Sequence, residues 1–159
     1  MSNVTAFNNQ LKSLITELIF IFPDDKKLIV FEQKFNLLKS MNKNIIIQYF
    51  FEYVYPCKEE IMSKDDSYFN ESDGEDNINK FFEKNDSIKE NEYAPLSYIL
   101  TLHKKWNLLN DENKEVVWKY LQVLIILTER WALSKLNKKL ILNLIFKIKL
   151  YDRYYNDRR

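Results

Sequence analysis

Three side chains have types and spacing that could do chemistry: Asp24, directly after Pro23, and Glu32 and Lys34 on either side of Gln33. Two carboxylates can hold Mg²⁺, and a lysine beside them can stabilise an attacking water or the charge that develops on a phosphate. For Glu32 and Lys34 to act together they would need to share a face, as residues two apart do on a strand. The surrounding pattern reads as helix, and there residues two apart diverge by about 200°. A capped surface helix is therefore expected ahead of a Mg²⁺ site. Glu59-Glu60 and Asp65-Asp66 are adjacent carboxylates that diverge on a helix in the same way, and both lie beside polar sequence. His103 stands between an apolar stripe and Lys104-Lys105, with no second imidazole or thiol to join it in a metal site. Cys57 adjoins Lys58, which favours the thiolate slightly, but no base partner is evident. Boundary packing for His103, an inert thiol at Cys57, and core or rim positions for Trp106, Trp118 and Trp131 are the plainer readings. No catalytic residue, metal site or cofactor is assigned.

The composition explains this poverty. The 159 residues include one glycine (Gly74), one histidine and one cysteine. Phosphate-cradling loops use glycine to let backbone N–H groups approach a ligand, and most acid–base and metal sites use histidine or paired thiols. The chain is 46 % apolar and 15 % aromatic, which places it among globular proteins rather than disordered ones. One domain over 1–159 is the natural reading of this length. A single cysteine excludes an intrachain disulfide. Neither a secretory signal nor an apolar run long enough to span a bilayer is visible, so an intracellular or virion location is expected, without secretion.

The charge is close to zero overall but unevenly placed. Residues 63–92 hold ten acids against four lysines, and residues 133–159 hold eight Lys/Arg against two acids. The first segment reads as a long, mobile acidic insert. Ser63 and Ser72 within it each begin a Ser-x-x-acid string of the kind that acidophilic kinases modify, and phosphate there would deepen the negative charge. The second segment interleaves bases with aromatics. Lys147, Lys149, Tyr151, Arg153, Tyr154, Tyr155, Arg158 and Arg159 suit phosphate contact with base stacking. A basic amphipathic helix suits an anionic membrane surface or a partner's groove equally well. The plain alternative is a terminal core helix whose lysines solvate its outer face.

The elements that would carry these residues are helices. Apolar residues recur at three and four from Leu11 to Phe22, so a first helix is expected over about 4–22, stopped by Pro23. Asp24 and Asp25 cap a second, over about 25–40, with Leu28, Phe31, Phe35 and Leu38 inward. A third opens at Asn42 or Asn44, with Ile46, Tyr49, Phe50, Tyr53 and Val54 inward, and Pro56 kinks or restarts it. Tyr68 and Phe69 anchor the start of the insert, and Phe81-Phe82 could form a short helix within it. A helix begins again near Pro95 and runs past His103 to Trp106. Asn110, Asp111 and Glu112 cap the strongest element, in which Val117, Leu121, Leu124, Leu127 and Trp131 share a face. A separate last helix is expected over about 133–151, with Leu136, Leu140, Leu144, Ile145 and Ile148 inward. Sustained period-two alternation and internal repeats are absent. The fold class is all-α, a compact bundle of five or six helices with the acidic loop between its halves.

Two resemblances attach to these strings. Pro23-Asp24 with Glu32-Gln33-Lys34 is similar to the Pro-Asp…Glu-x-Lys pattern of a large nuclease superfamily. The strings 18–24 (Leu-Ile-Phe-Ile-Phe-Pro-Asp), 64–69 (Lys-Asp-Asp-Ser-Tyr-Phe) and 118–127, which begins Trp-Lys-Tyr-Leu-Gln, resemble in that order a group of small helical proteins encoded by large DNA viruses of eukaryotes. The resemblance spans roughly residues 14–131 and leaves out the basic end. It implies an all-α fold and a viral origin, and brings no catalytic residue with it. The expected function is accordingly a non-enzymatic interaction protein, virus-encoded, packaged in the virion or acting on host or viral protein partners. Nucleic-acid or anionic-membrane binding through the basic end is the alternative, and a Mg²⁺-dependent nuclease the third reading.

Overall fold

A computed structural model describes residues 1–70 and 105–158, and among them every regular element is helical. Helix α1 (Asn3–Ile21) begins at Ser2, whose hydroxyl accepts the Thr5 N–H at 3.1 Å, and ends before Pro23. Asp25 caps α2 (Lys26–Met41) by accepting the Lys27 N–H at 3.0 Å. Each boundary falls within a residue or so of the sequence expectation, because proline and capping carboxylates act locally.

Helix α3 (Ile45–Tyr49) widens into a π turn over Phe50–Val54 and then tightens into a 3₁₀ turn over Tyr55–Cys57. Pro56 has no N–H to donate, so the α-helical ladder cannot run through it. The chain instead bonds Tyr55 N–H to the Phe50 carbonyl and restarts as α4 (Lys58–Met62). Lys64 ends α4 in the left-handed region at φ 56. Its N–H reaches the Ile61 carbonyl and the Asp65 N–H reaches Glu60, the paired bonds of a Schellman cap. Glycine usually takes that position; in this glycine-poor chain a lysine does.

Residues 63–67 are exposed, and the two aromatics that follow are tied down. A 3₁₀ turn over Asp66–Asn70 buries Tyr68 and Phe69, and Phe69 lies flat on Trp106, with ring centroids 3.8 Å apart, and edge-on to Trp118. The rest of the expected insert, including Ser72, Gly74 and Phe81-Phe82, lies outside the described residues. So does the helix expected from Pro95, apart from its end at Lys105 and the 3₁₀ turn Trp106–Leu108.

The largest correction concerns the C-terminal third. Instead of two helices parted near residue 132, one helix, α5, runs from Asp111 to Asn156. Asn110 caps it by accepting the Asn113 N–H at 2.8 Å. Nothing in Trp131-Ala132-Leu133-Ser134-Lys135 breaks a helix, since neither proline nor glycine occurs there.

The core sits between α1 and the first half of α5. Phe7, Leu11, Ile15 and Leu18 from α1 meet Val117, Leu121, Leu124 and Ile125 from α5, while α2, α3 and α4 close the sides. Thr128 is fully buried and donates its hydroxyl to the Leu124 carbonyl at 2.7 Å, so its polar atom is satisfied within the helix. Gln122 reaches from α5 to the carbonyls of Ile61 and Met62 and holds the end of α4.

Candidate functional site

The string 23–34 forms a turn and a helix. Asp24 is exposed in the α1–α2 turn, and Glu32 and Lys34 are half-buried on α2. Helical geometry turns Glu32 and Lys34 about 200° apart, so they do not share the face that a metal-dependent nuclease would need. Asp25 is engaged elsewhere: besides capping α2 it pairs with Lys105, whose ammonium also lies 4.8 Å from the centre of the Phe22 ring. Together these residues line an open hollow of about 700 Å³ at the α1–α2 turn.

Of the adjacent carboxylates, Asp65 is engaged in local structure. Asp65 accepts the Ser67 N–H at 2.9 Å, a bond that holds its carboxyl below the usual carboxylate range and starts the turn that buries Tyr68. Glu115, half-buried on α5, is held low by a bond from Lys64 at 2.5 Å. Lys58 binds Glu129 at 3.1 Å, and that bond raises its pKa. Among the described residues no three His, Cys, Asp or Glu side chains gather as metal ligands. Cys57 is half-buried, Ser63 is exposed at the end of α4, and His103 lies outside the described residues.

The feature that remains is the second half of α5. From Leu133 to Asn156 it projects past the core as an arm of 24 residues, about 36 Å long. Leu136, Leu140, Leu144, Ile145 and Ile148, expected as core, are exposed along it; Leu140 is 57 % and Leu144 60 % accessible. The cause is a change of phase. At 100° per residue, Val117, Leu121, Leu124, Thr128 and Trp131 face the domain, whereas the broad apolar face of the arm is rotated by roughly 180°. A straight helix cannot bury both faces against one small domain.

Around the arm the bases are ordered as well. Lys135, Lys138, Lys139, Lys149 and Arg153 occupy about 100° of the surface, opposite the broad apolar face. Leu142, Phe146 and Leu150, spaced four apart, interrupt this basic side and are exposed. Lys147 alone among the lysines falls within the broad apolar face. Of the residues singled out in the sequence, Lys147, Lys149, Tyr151, Arg153, Tyr154, Tyr155 and Arg158 are all exposed on the arm or its end, and Arg159 lies outside the described residues. The tyrosines cluster: Tyr151 and Tyr155 lie 4.4 Å apart between centroids, and the Arg158 guanidinium sits 4.3 Å over Tyr154. A hydrogen bond with Tyr155 raises the Tyr151 pKa.

Where the arm leaves the core there is an apolar hollow of about 490 Å³, which sequence reasoning missed. Phe51 and Tyr55 stack at 5.9 Å on one wall, and Trp131, Leu133 and Leu136 form another. The π turn sets this wall, because it shifts the side-chain directions after Phe50 away from an α-helical register. Pro56 was the available signal, but proline indicates a break without saying which way the ring before it will point. Lys135 covers the Trp131 ring at 4.5 Å.

No family model, curated protein or solved structure matches this chain.

Proposed function

We propose that this chain is a non-enzymatic interaction protein whose working element is the arm of α5. The observation that carries the reading is the run of apolar side chains left in water along residues 133–155, on a helix anchored in the core by Trp118, Leu121, Leu124 and Trp131. Exposed apolar patches of this extent usually mark interaction sites in a soluble domain. The helical phase of Glu32 and Lys34 favours this reading over a nuclease. A virus-encoded partner-binding protein agrees with the resemblance carried by strings 18–24, 64–69 and 118–127. Nucleic-acid binding is a second reading, favoured by the lysine stripe beside Tyr151, Tyr154 and Tyr155.

The test compares the full chain with one ending at residue 132. Nothing from Leu133 onward is buried in the core, so both should fold. The full chain should associate with itself, a nucleic acid, a lipid vesicle or a purified protein, and the shortened chain should not. Identical monomeric behaviour of the two in sedimentation, vesicle flotation and nucleic-acid titration would overturn the proposal.

A further inference from the structure

Resting on that reading, we infer that the surface covered by the arm is an anionic lipid bilayer, on which α5 lies in the plane of the headgroups. Three observations select this occupant.

The first is the side of the rod on which the apolar face lies. Leu140, Leu144, Ile148 and Tyr151 point away from the domain, and so do the part-exposed Val123 and Ile126 on the anchored half of α5. On the arm the apolar stripe runs from Leu140 to Tyr155 along one side of the rod, with the folded domain on the other; Val123 and Ile126 share that side but are parted from it by Glu129, Arg130 and Asn137. A flat surface can cover that stripe along its whole length without meeting the domain.

The second is charge. Between Glu129 and Asp152 the helix holds Arg130 and five lysines and not one acid. Helices that pair with one another commonly carry both signs beside the seam, so that each charge meets its opposite. One sign throughout calls for a partner that supplies the other, and anionic headgroups do so along the full length of the arm. A helix with lysines on its polar face and leucines and aromatics opposite is the arrangement that lies in a bilayer interface.

The third is the position of Lys147 and the width of the apolar arc. Lys147 lies toward one edge of the broad apolar face, beside Leu144 and Tyr151. In a seam between two copies its ammonium would find no acid on the other arm between Arg130 and Tyr151. At a bilayer its stem lies along the acyl chains while the ammonium reaches a phosphate. The arc covers about half the circumference. That is wider than a two-helix seam, which uses a narrow stripe. Tyr151, Tyr154 and Tyr155, with an apolar ring and a polar hydroxyl each, fit the headgroup level. Among the described residues no helix is long and apolar enough to cross a membrane, which leaves the interface as the depth available to this one.

The experiment uses the full-length protein and flotation with vesicles of pure phosphatidylcholine or of phosphatidylcholine containing one-third phosphatidylserine, at low and physiological salt. Partition should be about tenfold or more stronger onto the anionic vesicles, and weaker at the higher salt. Joint replacement of Lys135, Lys138, Lys139, Lys147 and Lys149 by Gln should remove the preference. Joint Leu140→Asn, Leu144→Asn and Ile148→Asn should remove binding to both vesicles. All these side chains are exposed, so unchanged thermal unfolding would show that the variants remain folded. Absence of partition onto anionic vesicles at low salt overturns the inference. So does a stable oligomer that the three Asn substitutions convert to monomer, or binding to single-stranded nucleic acid that survives them. Those last two outcomes leave the arm as an interaction element. A full chain indistinguishable from the chain ending at 132 in every assay removes both.

Discussion

Tyr49 shows how a single side chain reports on the fold. It is 2 % exposed, and burial, reinforced by the nearby Tyr53 phenol, pushes its pKa well above the usual tyrosine value near 10. The folded state therefore keeps this proton after the unfolded chain has begun to lose it. Stability from this group is complete below about pH 10 and falls as pH rises beyond it, by up to about 1.4 kcal/mol per pH unit for one proton. Denaturant midpoints measured from pH 8 upward should hold to about pH 10 and then drop for the wild type, and Tyr49→Phe should flatten the drop. Equal slopes would place Tyr49 in water. On the acid side, Asp65 and Glu115 carry the opposite sign: their lowered values add stability that is present at neutral pH and lost as pH falls below about 4.

Helix α5 behaves as two elements joined without a break. Its first half is held by tertiary packing, and its second by helix propensity alone unless something covers it. Hydrogen exchange should then show strong protection for amides at 117–131 and a steady loss of protection from about 135 toward 156. Uniform slow exchange along the whole helix would mean that the arm is already covered in the isolated protein. Substitutions should divide in the same way. Leu140→Asn on the arm should leave the unfolding midpoint unchanged, whereas Leu124→Ala, at a fully buried position, should cost about 2–5 kcal/mol. Denaturant titrations of the two variants side by side check the contrast.

At the scale of the whole molecule, the described residues on either side of 71–104 are clasped by aromatic rings. Phe69 stacks on Trp106 and meets Trp118 edge-on, and those two indoles meet each other at 5.0 Å. The short 3₁₀ turn that presents Phe69 has little stability of its own, so the clasp joins it to the anchored half of α5. Phe69→Ala should cost about 3–5 kcal/mol, the range for loss of a buried aromatic. The same change should alter tryptophan emission, because two indoles lose their neighbour. An unchanged denaturation midpoint would show that the clasp is peripheral.

By itself the sequence determined whatever depends on neighbours along the chain. Pro23, Asp25, Asn110 and the three-and-four spacing of Leu and Phe set helix existence and most boundaries, because proline sterics, capping bonds and helical periodicity act within a few residues. It also marked the basic, tyrosine-rich end as the part of the chain unlike the rest. The helical phase that separates Glu32 from Lys34 followed from the same local pattern. Three features were left to the tertiary structure. A shift of apolar phase near Trp131 reads equally well as a new helix or as one helix with two faces. Only the position of the domain shows that Val117, Leu121 and Leu124 have a surface to bury against while Leu140 and Leu144 have none. The direction of Phe51 and Tyr55 depended on how the backbone resolved the missing N–H of Pro56. The burial of Phe69 depended on Trp106 and Trp118, distant in sequence, meeting it in space. Local physics specifies which segments are helical, but burial is a property of pairs of surfaces, and the partner surface is fixed only when the chain has folded.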